Sequence, residues 1–228
     1  MIKFLYPTLL GLSLTACGVK NSIPGATHSA FLSSSGVPVN SHIARLPFQH
    51  SWRDPAVQID QYKNIVVRPV TTRYLPAAQW INSKSPWIPT QRSFLRNSNK
   101  LATFWDASLK RSFSSPVCSY YLKQNPSEPK TLILEVALTE ITFGRPDSTP
   151  IIAPPLVAFE ARVTDAATGK IVATAADLRT DRLELRTLTK ATLAAGNREI
   201  CTQWSEQLMQ ATNRELFAKV KGSWFLGF

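Results

Sequence analysis

Two different apolar periods run through this chain, and together they call for a sheet with helices laid across it. Leu101, Trp105, Leu109 and Phe113 fall four residues apart, with Phe104 beside them, so they form one stripe on a helix predicted over 93–113. Lys100, Lys110 and Arg111 fall off that stripe. Ser93 or Asn97 offers an N-cap acceptor, and Ser114-Ser115-Pro116 ends the run. A second helix is predicted over 197–220, where Cys201, Trp204, Leu208, Ala211 and Leu216 keep helical spacing. Lys219, Lys221 and Gly222 suit its C-terminus.

Between the helices the period changes to two. Over 131–143, Leu132, Leu134, Val136 and Leu138 alternate onto one face of a strand, and Glu135 and Thr139 point the other way. A hairpin is predicted from 156–164 and 170–176, turning through Asp165-Ala166-Ala167-Thr168-Gly169. Gly169 is expected at positive φ and Asp165 is expected to cap local backbone N–H groups. Val157, Phe159, Ala161 and Val163 share one hairpin face, and Glu160 and Arg162 share the other. Ile65-Val66-Val67 gives a further strand over 63–70, bounded by Pro69. Residues 71–92 read as a loop rich in Pro and Trp, and 177–190 as a charged strand extension or a short exposed helix. The fold class is therefore α/β (α+β): a two-layer sandwich, with a mixed or antiparallel sheet of about four strands packed by two long amphipathic helices.

The N-terminus has a separate pattern. Lys3 precedes an apolar stretch from Phe4 to Leu14, and Leu14-Thr15-Ala16-Cys17 closes it with small residues, as in a secretory signal peptide. The run is shorter than the roughly 20 residues of a spanning helix. Its last four residues resemble the lipobox of bacterial lipoproteins. That resemblance implies cleavage between Ala16 and Cys17 and acylation of Cys17, so the membrane is a partner through a lipid anchor. Stable anchoring takes at least two chains, which a triacylated cysteine supplies. Gly18 stands where an aspartate commonly retains such proteins at the inner membrane, which implies the outer membrane with the domain in the periplasm. The expected organisation is a signal peptide over 1–16, a lipidated N-terminus, tether and irregular arm over 17–60, and a single α/β domain over 61–228. Phe31, Leu32, Ile43, Leu46 and Phe48 give the arm apolar anchors.

Charge and cysteine usage take their meaning from that compartment. A formal net charge of +11 would suggest nucleic acid in a cytosolic protein. On an exported one it meets anionic headgroups, lipopolysaccharide or peptidoglycan, or only keeps the surface solvated, and no nucleic-acid partner is expected. With Cys17 acylated, Cys118 and Cys201 remain, either as a disulfide in an oxidising compartment or as two buried small side chains.

The sequence offers little catalytic chemistry. His28, His42 and His50 all lie in the arm, and no Cys-x-x-Cys, Gly-x-Ser-x-Gly or glycine-rich phosphate loop occurs. No metal, cofactor or catalytic residue is expected. Glu135 and Glu160, on neighbouring strands, are the one acid pair to weigh for acid–base work, against a solvated sheet face where Glu160 meets Arg162 or another basic neighbour.

Beyond the lipobox, several segments carry a second likeness. They are Phe31-Leu32-Ser33-Ser34, then Tyr62 to Val70, Ser108-Leu109-Lys110-Arg111, Leu132 to Thr139, and Phe159 to Lys170. This order resembles a family of predicted bacterial lipoproteins carrying a domain of unknown function, number thirty-three thirteen. The resemblance brings no catalytic residues, and the 71–92 loop departs from its pattern. The leading expectation is a non-enzymatic envelope lipoprotein whose periplasm-facing module binds a partner protein or envelope component. The apolar tail, with Trp224, Phe225 and Phe228, either folds over the sheet or contacts the partner. An alternative is a carrier or chaperone for an apolar envelope molecule, with Trp80, Trp87, Trp105, Trp204 and Trp224 lining a cleft. A cryptic envelope hydrolase is the remote third.

Overall fold

The computed structural model describes residues 29–33, 36, 46–75, 91–142, 156–180 and 190–213. In chain order these form α1 (Ala30–Ser33), β1 (His50–Arg53), a single 3-10 turn (Ile59–Gln61), β2 (Asn64–Val67), α2 (Gln91–Phe113), β3 (Tyr121–Lys123), β4 (Thr131–Thr142), β5 (Leu156–Asp165), β6 (Ile171–Thr180) and α3 (Lys190–Thr212). The strands make one sheet in the order β1-β6-β5-β4-β2-β3. From β1 to β4 all neighbours are antiparallel, whereas β2 runs parallel to both β4 and β3. The α+β class and the mixed sheet agree with the sequence reading.

The strand count does not: the sheet has six strands, and the expectation was about four. The extra two, β1 and β3, are edge strands of four and three residues. Segments that short show no period, and their ladder partners, not their own composition, make them strands. The second helix also differs. It starts at Lys190, ahead of the expected 197, and runs through Gly196 and Asn197, both buried. Gly and Asn are weak helix formers, so the sequence places a start where tertiary packing carries the helix on. Leu216, Lys219, Lys221 and Gly222 lie outside the described residues. The undecided segment after 176 continues β6 as far as Thr180, and 181–189 lie outside the described residues.

One face of the sheet, the front, carries the core. Register puts Val136, Leu138, Phe159, Ala161 and Ala175 on it, and the apolar stripes of α2 and α3 cover them. Trp105 and Trp204, from the two helices, are both fully buried, with ring centroids 5.5 Å apart. Each meets Phe159 edge-on, at 5.4 and 4.6 Å, and Phe48 closes the cluster from the arm at 5.8 Å. Edge-to-face rings add about 0.5–1.5 kcal/mol per pair beyond area burial. The hairpin turn follows its sequence signals. Gly169 takes φ +70°, and Asp165 Oδ1 accepts from the backbone N–H of Ala167 at 2.8 Å. Tyr62 donates its hydroxyl to Asp165 Oδ2 at 2.8 Å, and burial, then that bond, pushes its phenol up to about 12.

Candidate functional site

The back face of the sheet has a different composition. Its floor is small: Ala137 on β4 and Ala176 on β6 flank Glu160 on β5 in register. Helix α1 lies on this floor, with Phe31 and Leu32 buried against Ala137 and Ala176. One side chain fixes its start. Glu160 Oε1 accepts the backbone N–H of Ser29 and Oε2 accepts the Ser29 hydroxyl, both at 2.6 Å. Ser29 in turn caps the short helix, its Oγ accepting the N–H of Phe31 at 3.1 Å. Phe31 is then held from two sides. The Arg162 guanidinium lies over its ring at 4.5 Å, and the Tyr74 ring meets it edge-on at 5.2 Å. Arg162 is positioned by Glu135, directly across the ladder, whose Oε2 accepts its Nε–H at 2.7 Å.

This arrangement answers the question raised by the acid pair. Glu135 faces Arg162 and Glu160 faces Ala137, so the two carboxylates do not oppose each other. Glu135 orients a cation, and Glu160, 4% exposed, holds the arm. Arg162, one basic neighbour considered for Glu160, pairs with Glu135. Ser29 was missed in the sequence because a four-residue helix has no period to reveal its cap. Phe31 and Leu32 were visible as apolar anchors.

A second polar feature enters the core from the front. Asp177 follows Ala173 and Ala175 in alternation on β6 and accepts from Trp204 Nε1 and Arg179 Nε, each at 2.8 Å. Burial pushes its carboxyl above the ordinary aspartate value, against the opposing pull of Arg179 and of the Trp204 bond. Arg179 spans outward to Gln207 Oε1 at 2.6 Å and the Pro47 carbonyl at 3.2 Å. The group joins sheet, α3 and arm, and the charged look of 177–190 concealed its inward member.

The remaining site residues separate clearly. Ala16, Cys17, Trp224, Phe225 and Phe228 lie outside the described residues, as do Trp80 and Trp87. Cys118 and Cys201 are not joined in a disulfide. Asn213 Nδ2 donates to the Val117 carbonyl at 2.7 Å, which sets the end of α3 beside Cys118. Cys201 lies 12 residues earlier on that continuous chain, about 18 Å along a helix, far beyond disulfide reach. Burial in the core raises the Cys201 thiol strongly. Trp105 and Trp204 are core, not cleft lining. A separate apolar crevice, about 40 Å³ in volume, lies between Leu46, Phe48, Ile59, Val163 and Leu208. Among the described residues no three metal-binding side chains gather, and no helix is long and apolar enough to cross a membrane.

Comparison with known proteins adds the family. No curated protein matches the sequence. Solved structures that resemble the chain include PelC of Paraburkholderia phytofirmans, described as a dodecamer, at 13% identity over 70% of this chain and 96% of that one, with a TM-score of 0.37. Protein XCC0632 of Xanthomonas campestris matches at 12% identity, 74% and 93% coverage and a TM-score of 0.41. Lipoprotein GNA1162 of Neisseria meningitidis matches at 13%, 64% and 98%, with a TM-score of 0.30. At these scores the likenesses carry no argument about this chain. The family model described as protein of unknown function (DUF3313) matches residues 27–208, from the cap of α1 to the last turns of α3, and the chain belongs to that family.

Proposed function

We propose that this chain is a non-enzymatic lipoprotein of the bacterial envelope, anchored through acylated Cys17, whose periplasm-facing module binds a partner protein or envelope component. The observation that carries this reading is the mooring of the arm on the back of the sheet. Ser29, held by Glu160, lies 12 residues after Cys17. An extended leash of that length spans roughly 40 Å at most. The lipid-bearing end therefore enters the domain at a built contact, and the acids that could have suggested hydrolysis are both used in making it. The basic composition and the outer-membrane assignment from Gly18 belong to the same reading. Crosslinking in intact cells followed by purification from membranes tests it. Adducts with an envelope protein or with wall material are expected, and a bare monomer under every crosslinking condition contradicts it.

A second reading is a carrier for an apolar envelope molecule; the crevice beside Phe48 and Leu208, at about 40 Å³, holds no lipid as it stands, so this reading requires α3 to move off the sheet. Native mass spectrometry of freshly extracted protein distinguishes it: a co-purifying lipid supports the carrier, and its consistent absence removes it.

A further inference from the structure

The basic residues of α2 are not scattered. Arg92, Arg96, Lys100, Lys110 and Arg111 are all exposed. At 3.6 residues per turn they fall within about 100° of the helix circumference. Thr103, Ala107 and Ser114 fill the same arc, and Asn99 borders it. Asp106 is the one carboxylate of the 23-residue helix, and it pairs with Lys110 at 2.7 Å. The row from Arg92 to Arg111 extends about 28 Å at 1.5 Å per residue. Arg92, Arg96 and Lys100 rise about 6 Å from one to the next, inside the Debye length of about 8 Å, so they act on a partner as one field. Thr72 donates to Asn99 Oδ1 at 2.8 Å and brings the turn bearing exposed Arg73 alongside.

The shape of this face selects among anionic partners. A helix that lies in a bilayer interface needs apolar side chains to bury below the headgroups. The arc holds none larger than Ala107, and Leu95 lies at its edge. The stripe also lies on the outer side of the front layer, whereas the arm leading to Cys17 is moored on the back. A linear polyanion fits these constraints better than the anchoring bilayer. We infer that this face of α2 is a docking strip for peptidoglycan, whose peptide stems carry carboxylates. The inference deepens the envelope reading above and rests on it for the compartment.

The test sediments the full chain, purified in detergent, with isolated peptidoglycan sacculi and, separately, with vesicles of phosphatidylethanolamine and phosphatidylglycerol. Arg96→Glu with Lys100→Glu should lower affinity for sacculi about tenfold, and wild-type binding should weaken as salt is raised. Lys63→Glu with Arg68→Glu, an equal charge change at exposed positions flanking β2, should bind sacculi as the wild type does. If the reversal pair fails to fold, Arg96→Gln with Lys100→Gln should show about a threefold loss. Undiminished binding by the α2 variants overturns the strip, as does an equal loss in both charge-reversed pairs. A loss seen only with vesicles overturns it in favour of a bilayer. The Cys17→Ser chain should bind sacculi as the wild type does while leaving the membrane fraction. If it stays with membranes, the anchor reading fails and the strip stands.

Discussion

The two faces of the sheet are built by opposite means. The front is covered by two 23-residue helices that bring Trp105 and Trp204 onto Phe159, with every ring buried. The back is floored by alanines and covered, among the described residues, by a four-residue helix. The contacts that hold that helix include the Glu160 carboxylate, the Arg162 guanidinium over Phe31 and the Phe31–Tyr74 ring pair. Large interlocking rings make the front cooperative, so losing one affects the whole fold. The back depends on a few local contacts, each worth about 1 kcal/mol, and can open without the rest. The front thus holds the domain together, and the back holds the arm to it.

Substitutions at the two faces should separate these roles. Trp204→Ala should be the most damaging, at about 4 kcal/mol, read as a lower urea midpoint for the whole domain. An Asp177→Ala change should follow at about 2 kcal/mol, since it leaves the buried Trp204 N–H without its acceptor while Arg179 keeps Gln207 and the Pro47 carbonyl. On the back, Phe31→Ala should leave the global midpoint within about 1.5 kcal/mol of wild type, yet make the arm susceptible to limited proteolysis. Glu135→Gln should be smallest, below about 1 kcal/mol, because its pair with Arg162 is about one-third exposed. A Phe31→Ala chain that unfolds as a unit would break the comparison by making the back part of the core.

Proton linkage sharpens the comparison within the front. The carboxyl of Asp177 is raised by burial, so the folded state binds its proton more tightly than the unfolded state does. That contribution is fully present below the ordinary aspartate range and is lost as pH rises through the folded value. The stability of wild type relative to Asp177→Asn should therefore fall from acid toward neutral pH, as measured by urea midpoints of the two chains. Asp54 behaves oppositely. The Lys170 hydrogen bond at 2.6 Å holds it below the ordinary value, so its contribution is lost as pH falls through the folded value.

The same contrast explains what could be read in the sequence. Leu101, Trp105, Leu109 and Phe113 announced α2, and Leu132 to Leu138 announced β4, because long elements that bury one face must repeat. Gly169 and Asp165 announced their turn because few residues fit such a conformation. β1, β3 and α1 repeat nothing, so their partners in the fold define them. Glu160 and Arg162 were assigned to the right face, but their roles depend on Ser29 and Phe31, some 130 residues earlier in the chain. Asp177 was hidden by the run of charged residues that follows it in the sequence. The α2 stripe was visible only as residues lying off an apolar face, and its continuity emerged once the helix was seen to run unbroken from Gln91.

The most direct measurement of the arm's mooring is amide hydrogen exchange on the full chain, followed by mass spectrometry of peptides covering 29–33 and 156–165. The amides of Leu32 and Ser33, which donate to the Ser29 carbonyl at 3.2 and 3.0 Å, should exchange slower than an open peptide and faster than β5. Glu160→Gln should abolish that protection while β5 keeps its own. Free exchange over 29–33 in the wild type would contradict the account and leave the arm unattached.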